Sequence, residues 1–448
     1  MNSVGTPPFF NRTLKDVFTV MDLLQHRATV PRRRFAWAAD AVAVLSLLLT
    51  ALAATGGEGP PRRAVLLDGQ SLAAGLVQID EDWTIHFAAD SGPRTIVPAD
   101  LVRWGEYADT CQLMQIMLAD GSLLVAQLAQ LADEKLVVDG ETCGRLEIPL
   151  ARVRGVIVDP PPSAAARDRL WDQMAAAQGV EDQLILKNGE VLRGLLKSVQ
   201  QRHKTVLSGS LLTTFAVAGR DVTVPENRIS AIIFNPGLVT PAAKPAFSVL
   251  AGFRDGSLLC VTQVATAGSW QRWTLAGGVT LELDPQSLPT DLTLLQPLGD
   301  QLAYLSDLPP LGYKQVPYLQ TTWPLGVDRS VTDQRLRHGG FTFPKGLGMH
   351  SASRVAYRLD GRWRLFQAEL ALDDTAGRHG SVVFRVFLGD EADRWRLGYE
   401  SPAVRGGEPP LAISVELGSA QAIALIVDFA DYGDVLDRAA WLDARLVE

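Results

Sequence analysis

One short pattern recurs four times along the chain and constrains its fold more than any other feature. An alternating apolar run ends in Asp-Gly or Asn-Gly, and a second apolar run starts at once. The four instances are AVLLDGQSLAAGLV (64–77), MQIMLADGSLLVAQL (114–128), QLILKNGEVLRGLL (183–196) and SVLAGFRDGSLLCVTQV (248–264). Such dipeptides favour tight hairpins, because the turn needs a positive φ that glycine reaches without steric cost. Gly69, Gly121, Gly189 and Gly256 are therefore expected at hairpin tips. Asp68, Asp120 and Asp255 read as turn residues rather than as reactive acids. An apolar-Pro pair follows each instance: Val97-Pro98, Ile148-Pro149, Val224-Pro225 and, as a weaker fourth, Asp284-Pro285. The Gly-to-Pro offsets are 29, 28, 36 and 29 residues. A further strand closes the first three instances, at 101–105, 153–158 and 229–234. Such regularity predicts one supersecondary unit used four times, each a small antiparallel barrel or strongly bent sheet of about five strands.

The units are expected at 62–107, 110–160, 181–237 and 247–300. Between the second and third, Pro160–Pro162 lead into SAAARDRLWDQMAAAQG (163–179). This stretch places Leu170, Trp171, Met174 and Ala177 on one helical face, with Ser163 as cap, and reads as a connecting helix that packs on a barrel. The units are similar to Sm-like small barrels, but nucleic acid is excluded as a partner by charge. The net charge is −8, and residues 1–53 contribute six basic and three acidic groups, leaving −11 for the remainder. Three cysteines and no CxxC or Cys/His cluster exclude a disulfide scaffold and structural zinc. Cys111 and Cys143 lie in one unit and can pair in an oxidising compartment, which leaves Cys260 free.

The N-terminus sets the expected compartment. Arg32, Arg33 and Arg34 precede the apolar run AVAVLSLLLTALAA (41–54). Fourteen residues span about 21 Å as a helix, short of a hydrocarbon core of about 30 Å. Residues 1–55 therefore read as a signal peptide or a membrane anchor, and positive-inside logic puts the rest outside the cytoplasm. The protein is expected to be secreted, periplasmic or anchored in the cytoplasmic membrane facing outward.

From Leu302 the texture changes. The segment 304–331 is rich in Pro and aromatic residues and reads as extended chain. Alternation in VAYRL, FQAELAL, VVFRVFL, LAISVEL and AIALIVDF then marks antiparallel strands of a two-sheet sandwich. The fold class is thus mainly β: tandem barrel-like repeats followed by a C-terminal sandwich.

Residues 302–448 resemble the NPCBM family of carbohydrate-binding modules. The resemblance is carried by Gly346-Leu347-Gly348-Met349-His350, Tyr357-Arg358-Leu359-Asp360-Gly361, Asp373-Asp374, Gly380-Ser381-Val382-Val383-Phe384, Ser401 and Asp437 … Trp441-Leu442-Asp443-Ala444-Arg445-Leu446. It implies a galactose-binding-like jelly roll of the kind found on bacterial extracellular proteins, often attached to glycoside hydrolases. It also implies glycan ligands, galactose-type for some members, and calcium sites in relatives. One departure stands out. The family ending often reads Asp-His-Ala-Asp/Asn-Trp, whereas this chain has Asp437-Arg438-Ala439-Ala440-Trp441, so a polar pair is absent.

The candidate carbohydrate-binding residues are His350, Trp395 and Tyr399. His350 reads either as a partner for a sugar hydroxyl or as a satisfied structural histidine. Trp395 and Tyr399 fall in what reads as a polar loop, where an aromatic ring can stack on a pyranose. Trp441, among Val435, Leu436 and Leu442, reads as a core residue. Asp428, Asp431, Asp434 and Asp437 recur every third residue. Carboxylates at that density suit Ca²⁺, with Asp428, Asp434 and Asp437 as candidate ligands, or else they are solvated loop acids. No other cofactor is expected, and no catalytic residues: GxSxG, HExxH, P-loop and GxGxxG motifs are absent. Three functions remain in play: a non-catalytic glycan-binding protein, an architectural envelope protein whose sandwich binds another protein, and a glycoside hydrolase.

Overall fold

The computed structural model describes residues 61–110, 113–203, 209–299, 301–317, 320–392, 394–431 and 433–448. The leader segment 41–54 and Cys111 lie outside the described residues. Thirty-odd strands account for nearly all regular structure, and they divide into a repeat body and a sandwich.

In the first unit, strand Arg62–Leu66 pairs with Ser71–Ile79 on one side and with Leu101–Gly105 on the other. Ile85–Ala89 and Gly92–Ile96 extend the sheet beyond Ser71–Ile79. The spatial order is fifth-first-second-third-fourth. The same order recurs in 182–233 and 248–298. It recurs again in 115–157, where the second strand is broken into Leu123–Val125 and Gln127–Ala132. Each second strand carries a register shift, at Leu76/Gln78, Leu128/Gln130, Leu196/Ser198 and Val261/Gln263. A bulge bends a strand and increases its twist, which lets so short a sheet curl around its own core.

The repeated turns share one chemistry. Gly69, Gly121, Gly189 and Gly256 have φ of 83°, 87°, 86° and 95°. The residue before each accepts a hydrogen bond from the amide two positions on: Asp68 from Gln70, Asp120 from Ser122, Asn188 from Glu190 and Asp255 from Ser257. The prolines mark the step into the fifth strand. A single 3-10 turn lies there in three units, Pro98–Asp100, Leu150–Arg152 and Glu226–Arg228, and the short helix Leu288–Asp291 in the fourth.

The units do not sit as separate beads in chain order. The closing strand of the first unit pairs with that of the fourth, Leu101–Gly105 with Leu292–Leu298. That of the second pairs with that of the third, Val153–Ile157 with Ile229–Ile233. Glycine permits both seams. A Cβ at Gly105 would stand 2.0 Å from the Thr293 carbonyl oxygen, and one at Gly155 would stand 2.5 Å from that of Ile232. Periodicity within one strand carries no information about such distant partners.

The helix runs over Ala164–Ala176, shorter than 163–179, and the Ser163 side chain makes no cap hydrogen bond. Trp171 and Met174 are buried against Ile157, Ile185 and Ile233. Arg167 and Asp168 are also buried, Arg167 on the same face as Trp171 and Met174.

Two antiparallel sheets form the sandwich. One orders Gly326–Val327, Gly346–His350, Arg438–Val447, Leu365–Leu372 and Leu411–Glu416. The other orders Gly312–Gln315, Ser353–Arg358, Ala422–Phe429, Ser381–Gly389 and Trp395–Glu400. Trp441 is fully buried between them, edge-on to Phe384 at 4.9 Å and tilted against Phe366 at 6.1 Å.

Body and sandwich meet through charge. Arg103, on the first unit's closing strand, donates to Glu369 and lies 3.2 Å from Asp443, both on the sandwich. Gln296, on the fourth unit's closing strand, donates to Asp443 at 2.9 Å. Arg337 donates to Asp168 at 2.6 and 2.8 Å, and Arg167 to Asp109 at 2.7 Å.

Two stability predictions follow from this packing. Trp441→Ala removes a fully buried indole from the sandwich core and should cost about 3–5 kcal/mol. Denaturant unfolding of the full chain measures it; a cost below about 1 kcal/mol would contradict the core assignment. Asp443→Ala takes one of two carboxylates from the buried Arg103 and an acceptor from Gln296, which should cost about 3–5 kcal/mol. Because that network joins the two parts, the wild-type chain should melt in one calorimetric transition and the variant in two.

Candidate functional site

The strand Gly346–His350 runs antiparallel to Arg438–Val447 and ends with His350 opposite Arg438. The chain then turns through Ala352, whose φ is 56°, into Ser353–Arg358. The loop before Arg438 brings Asp434 and Asp437 to the same end of the sandwich. Trp323, from the Pro- and aromatic-rich segment, completes the group. Its indole lies parallel to the His350 ring, with centroids 4.8 Å apart and planes 4° from parallel. Two hydrogen bonds hold its backbone: the Trp323 amide donates to Gln315 Oε1 at 3.1 Å, and Tyr313 OH donates to the Trp323 carbonyl at 3.0 Å. Trp323 is half-buried, so His350 occupies one ring face and the side chain still reaches the surface.

Burial sets the charges here. His350 is buried, and desolvation lowers its pKa, against the opposing pull of Asp434. The imidazole is therefore neutral at pH 7 and can both donate and accept. Ser351 Oγ lies 3.4 Å from His350 Nδ1. Asp437 is wholly buried, and burial pushes its carboxyl up to about 6, with the neighbouring charge of Asp434 adding to the rise. Its Oδ1 accepts the Ser381 amide at 2.9 Å, while Oδ2 has no hydrogen-bond partner among the described residues. An aromatic ring beside a neutral imidazole and a spare carboxylate oxygen is chemistry suited to a sugar, which presents C–H faces and hydroxyls together.

The structure does not bring the three sequence candidates together. Trp395 is not in a loop but opens strand Trp395–Glu400, opposite Gly389. It packs on the outer face of its sheet with Ala356, Phe387, Ala424 and Ile426. A register shift at Val386/Phe387 then turns Tyr399 to the inner face, against the sandwich core. The two rings thus lie on opposite faces of one sheet, and neither is grouped with His350. Sequence reading missed Trp323; its only signal is an aromatic in a Pro-rich stretch, TTWPLG.

Of the four acids that recur every third residue, two are met by arginines. Among the described residues, no three His, Cys, Asp or Glu side chains group to hold a metal ion. Asp428 instead receives Arg385 Nη1 at 2.9 Å, and Asp431 receives Arg405 Nη2 at 2.8 Å. Asp428 and Asp431 are thus each neutralised by an arginine. The residue that departs from the family ending, Arg438, donates to the Thr375 carbonyl at 2.7 Å and braces that turn.

Comparison with known proteins bears on the same region. A curated relative, "Putative endo-alpha-N-acetylgalactosaminidase" of Renibacterium salmoninarum, is 33% identical over 112 residues, covering 25% of this chain and 7% of that protein. The chain thus spans a small fraction of that relative's length. Among solved structures, a CBM51 from a Clostridium perfringens GH95 protein in complex with methyl-galactose is 20% identical, covering 33% of this chain and 99% of that one, with a TM-score of 0.28. The CBM51-2 and INT domains of C. perfringens ZmpB are 23% identical, covering 42% and 40%, with a TM-score of 0.29. Residues 301–447 match the family model of the NPCBM/NEW2 domain, and the C-terminal third of this chain carries a domain of that family.

Proposed function

We propose that this protein is an exported glycan-recognising protein whose sandwich binds carbohydrate and which has no catalytic activity of its own. The observation that carries the reading is the NPCBM/NEW2 match over residues 301–447. The Trp323–His350 pair beside Asp434 and Asp437 supplies the binding end of that domain. The curated relative is named for N-acetylgalactosamine glycosides, so galactose-type sugars are the ligands to try first. Export follows from Arg32–Arg34 before the apolar run 41–54, which also gives the membrane contact if the segment stays uncleaved. Fractionation with a C-terminal tag should find the body outside the cytoplasm; a cytoplasmic pool with an intact Met1 would remove that part of the reading.

The architectural alternative has one observation in its favour. The sandwich is fixed to the body by buried ion pairs, as suits a rigid platform rather than a tethered probe. On either reading the full chain is the right test material, because a 302–448 fragment would expose Glu369 and Asp443 without Arg103 and Gln296.

Titration of the full chain with galactosides, N-acetylgalactosamine and other hexosides tests the proposal. A shallow single site competing with water for each hydroxyl should bind at about 10⁻³–10⁻⁵ M, or about −4 to −7 kcal/mol. Trp323→Ala should abolish most of the binding with little change in melting temperature, and Trp395→Ala should spare binding. Chelation of Ca²⁺ should make no difference. The absence of any heat or chemical-shift change at tens of millimolar sugar would remove the glycan reading and leave the architectural one.

The raised pKa of Asp437 gives a second test. A ligand hydroxyl that reaches the enclosed Oδ2 is accepted best by the ionised carboxylate, so affinity should then rise as pH passes upward through about 6. Stability should move the other way. The folded-state pKa stands above the ordinary 3.8, so the group's favourable contribution is complete below about pH 4 and is lost as pH climbs through about 6. Asp437→Asn should therefore raise the melting temperature at pH 7.5, more than at pH 5, while weakening sugar binding. A variant less stable at pH 7.5 than wild type would contradict the assignment.

A further inference from the structure

The fourth unit carries the one exposed tryptophan among the described residues. Trp270 opens strand Trp270–Leu275 and is 47% exposed, whereas the other described tryptophans are buried or half-buried. Local structure keeps the indole uncovered. The tight turn Gly268-Ser269, with Gly268 at a φ of 68°, seats Trp270 opposite Ala267, and Ala265 stands opposite Arg272. Alternation puts Trp270 and Arg272 on the outer face of the sheet, while Gln271 and Trp273 are buried. The methyl groups on the neighbouring strand are too short to cover the ring, so much of its apolar surface stays in water.

Trp270 lines two clefts at once. One, of about 780 Å³, takes Arg272, Thr280 and Glu282 from the outer face of that sheet, and residues 141–146 of the second unit from the side. The other, of about 760 Å³, runs from Trp270 to Val77 and Gln78 of the first unit, past Thr266, Ser269 and Gln286. Together they form one trough across three units, with the indole between its halves. No residue of the sandwich lines either half.

The lining selects against charged ligands. Every acid of the first cleft already has a partner. Glu282 is met by Arg272 at 2.8 Å, and Arg254 meets Asp291 at 2.8 Å and Glu141 at 3.5 Å. Asp255 accepts from the Ser257 amide and from Thr142 Oγ1, and Asp284 accepts from the Gln286 amide. These carboxylates are satisfied within the protein and make no demand for a cation. Five acids against three arginines still give a negative field that repels anions. The second cleft is lined by no ionisable side chain. What remains for a ligand is a flat indole set among amides, hydroxyls and fixed ion pairs. A matching ligand is uncharged, rich in hydroxyls and furnished with C–H faces.

We infer that the trough binds a neutral oligosaccharide chain, with one sugar ring on Trp270 and its neighbours in the clefts on either side. A chain, rather than a single sugar, is required to use both halves. The inference adds to the glycan reading of the sandwich a second site that shares no residue with the first, so each stands or fails by its own variant. Two sites on one protein would also raise its avidity for a long glycan.

Calorimetric titration of the full chain with xylo-, cello-, galacto- and N-acetylated chito-oligosaccharides of two to six units tests the inference. At least one series should bind at about 10⁻⁴ M at six units and about ten-fold more weakly at two. Trp270→Ala should weaken hexasaccharide binding at least about ten-fold, and Trp270→Tyr should restore most of it. The ring is exposed, so both variants should keep the wild-type melting temperature. Trp323→Ala should leave hexasaccharide binding in place, and Trp270→Ala should leave any monosaccharide binding by the sandwich in place. The absence of saturable heat from every hexasaccharide at millimolar concentration would overturn the inference. So would binding that Trp270→Ala leaves intact, or that does not depend on chain length. Tighter binding of polygalacturonate, an anionic chain, than of any neutral series would overturn the assigned ligand class.

Discussion

Everything at the junction of body and sandwich depends on Arg103. Its guanidinium is buried between Glu369 and Asp443, and Asp443 in turn receives Gln296. Arg445 donates to Gln367 on the sandwich, and Gln367 donates to the Leu67 carbonyl in the first unit's turn. The connected groups therefore come from the first unit, the fourth unit and two sandwich strands. Buried ion pairs contribute little net stability, because desolvation offsets most of the Coulomb gain. Removing one member is costly, however, so any other docking angle would leave charges stranded. The network thus acts mainly as a register for two β assemblies that could otherwise pack in several ways. The helix Ala164–Ala176 works to the same end through Asp168 and Arg337.

The repeated unit was legible because its signals are local. Asp-Gly specifies a turn through φ and through an amide two residues away, and an apolar-Pro step specifies entry to the closing strand. Information of this kind needs no distant partner. The seams between closing strands were not legible, because Gly105 and Gly155 reveal their role only when Thr293 and Ile232 are opposite them. The burial of Arg167 and Asp168 was not legible for the same reason, because Asp109 and Arg337 neutralise them from far along the chain. Trp395 and Tyr399 failed differently: period-two reasoning assumes an unbroken register, and one bulge at Val386/Phe387 reverses which face the later residue occupies.

Four copies of one unit also meet four different surroundings. The second and fourth use Asp-Gly-Ser turns and close on each other. The first has Gln70 in place of serine, and its turn docks on Gln367 of the sandwich. The third has Glu190 at that position, an exposed residue, and its turn faces solvent. The side chain after the glycine thus separates turns that pair with each other from turns that do not. A hydroxyl is small enough to be enclosed and still satisfy an amide, while a carboxylate at the same place would be buried at a cost of several kcal/mol.

The same accounting separates structure from function among the buried acids. Asp443, Glu369 and Asp168 are buried and met by arginines, so scaffolding explains them fully. Asp437 is as deeply buried, yet its Oδ2 has no close hydrogen-bond partner among the described residues, the Ser351 hydroxyl gives only partial relief, and its charged neighbours include further acids. A fold selected for stability alone would favour an asparagine there, since the Ser381 amide could still be satisfied without the charge. A carboxylate held at such a cost beside a ring pair at the end of the sandwich is better explained by a ligand that completes its hydrogen bonding.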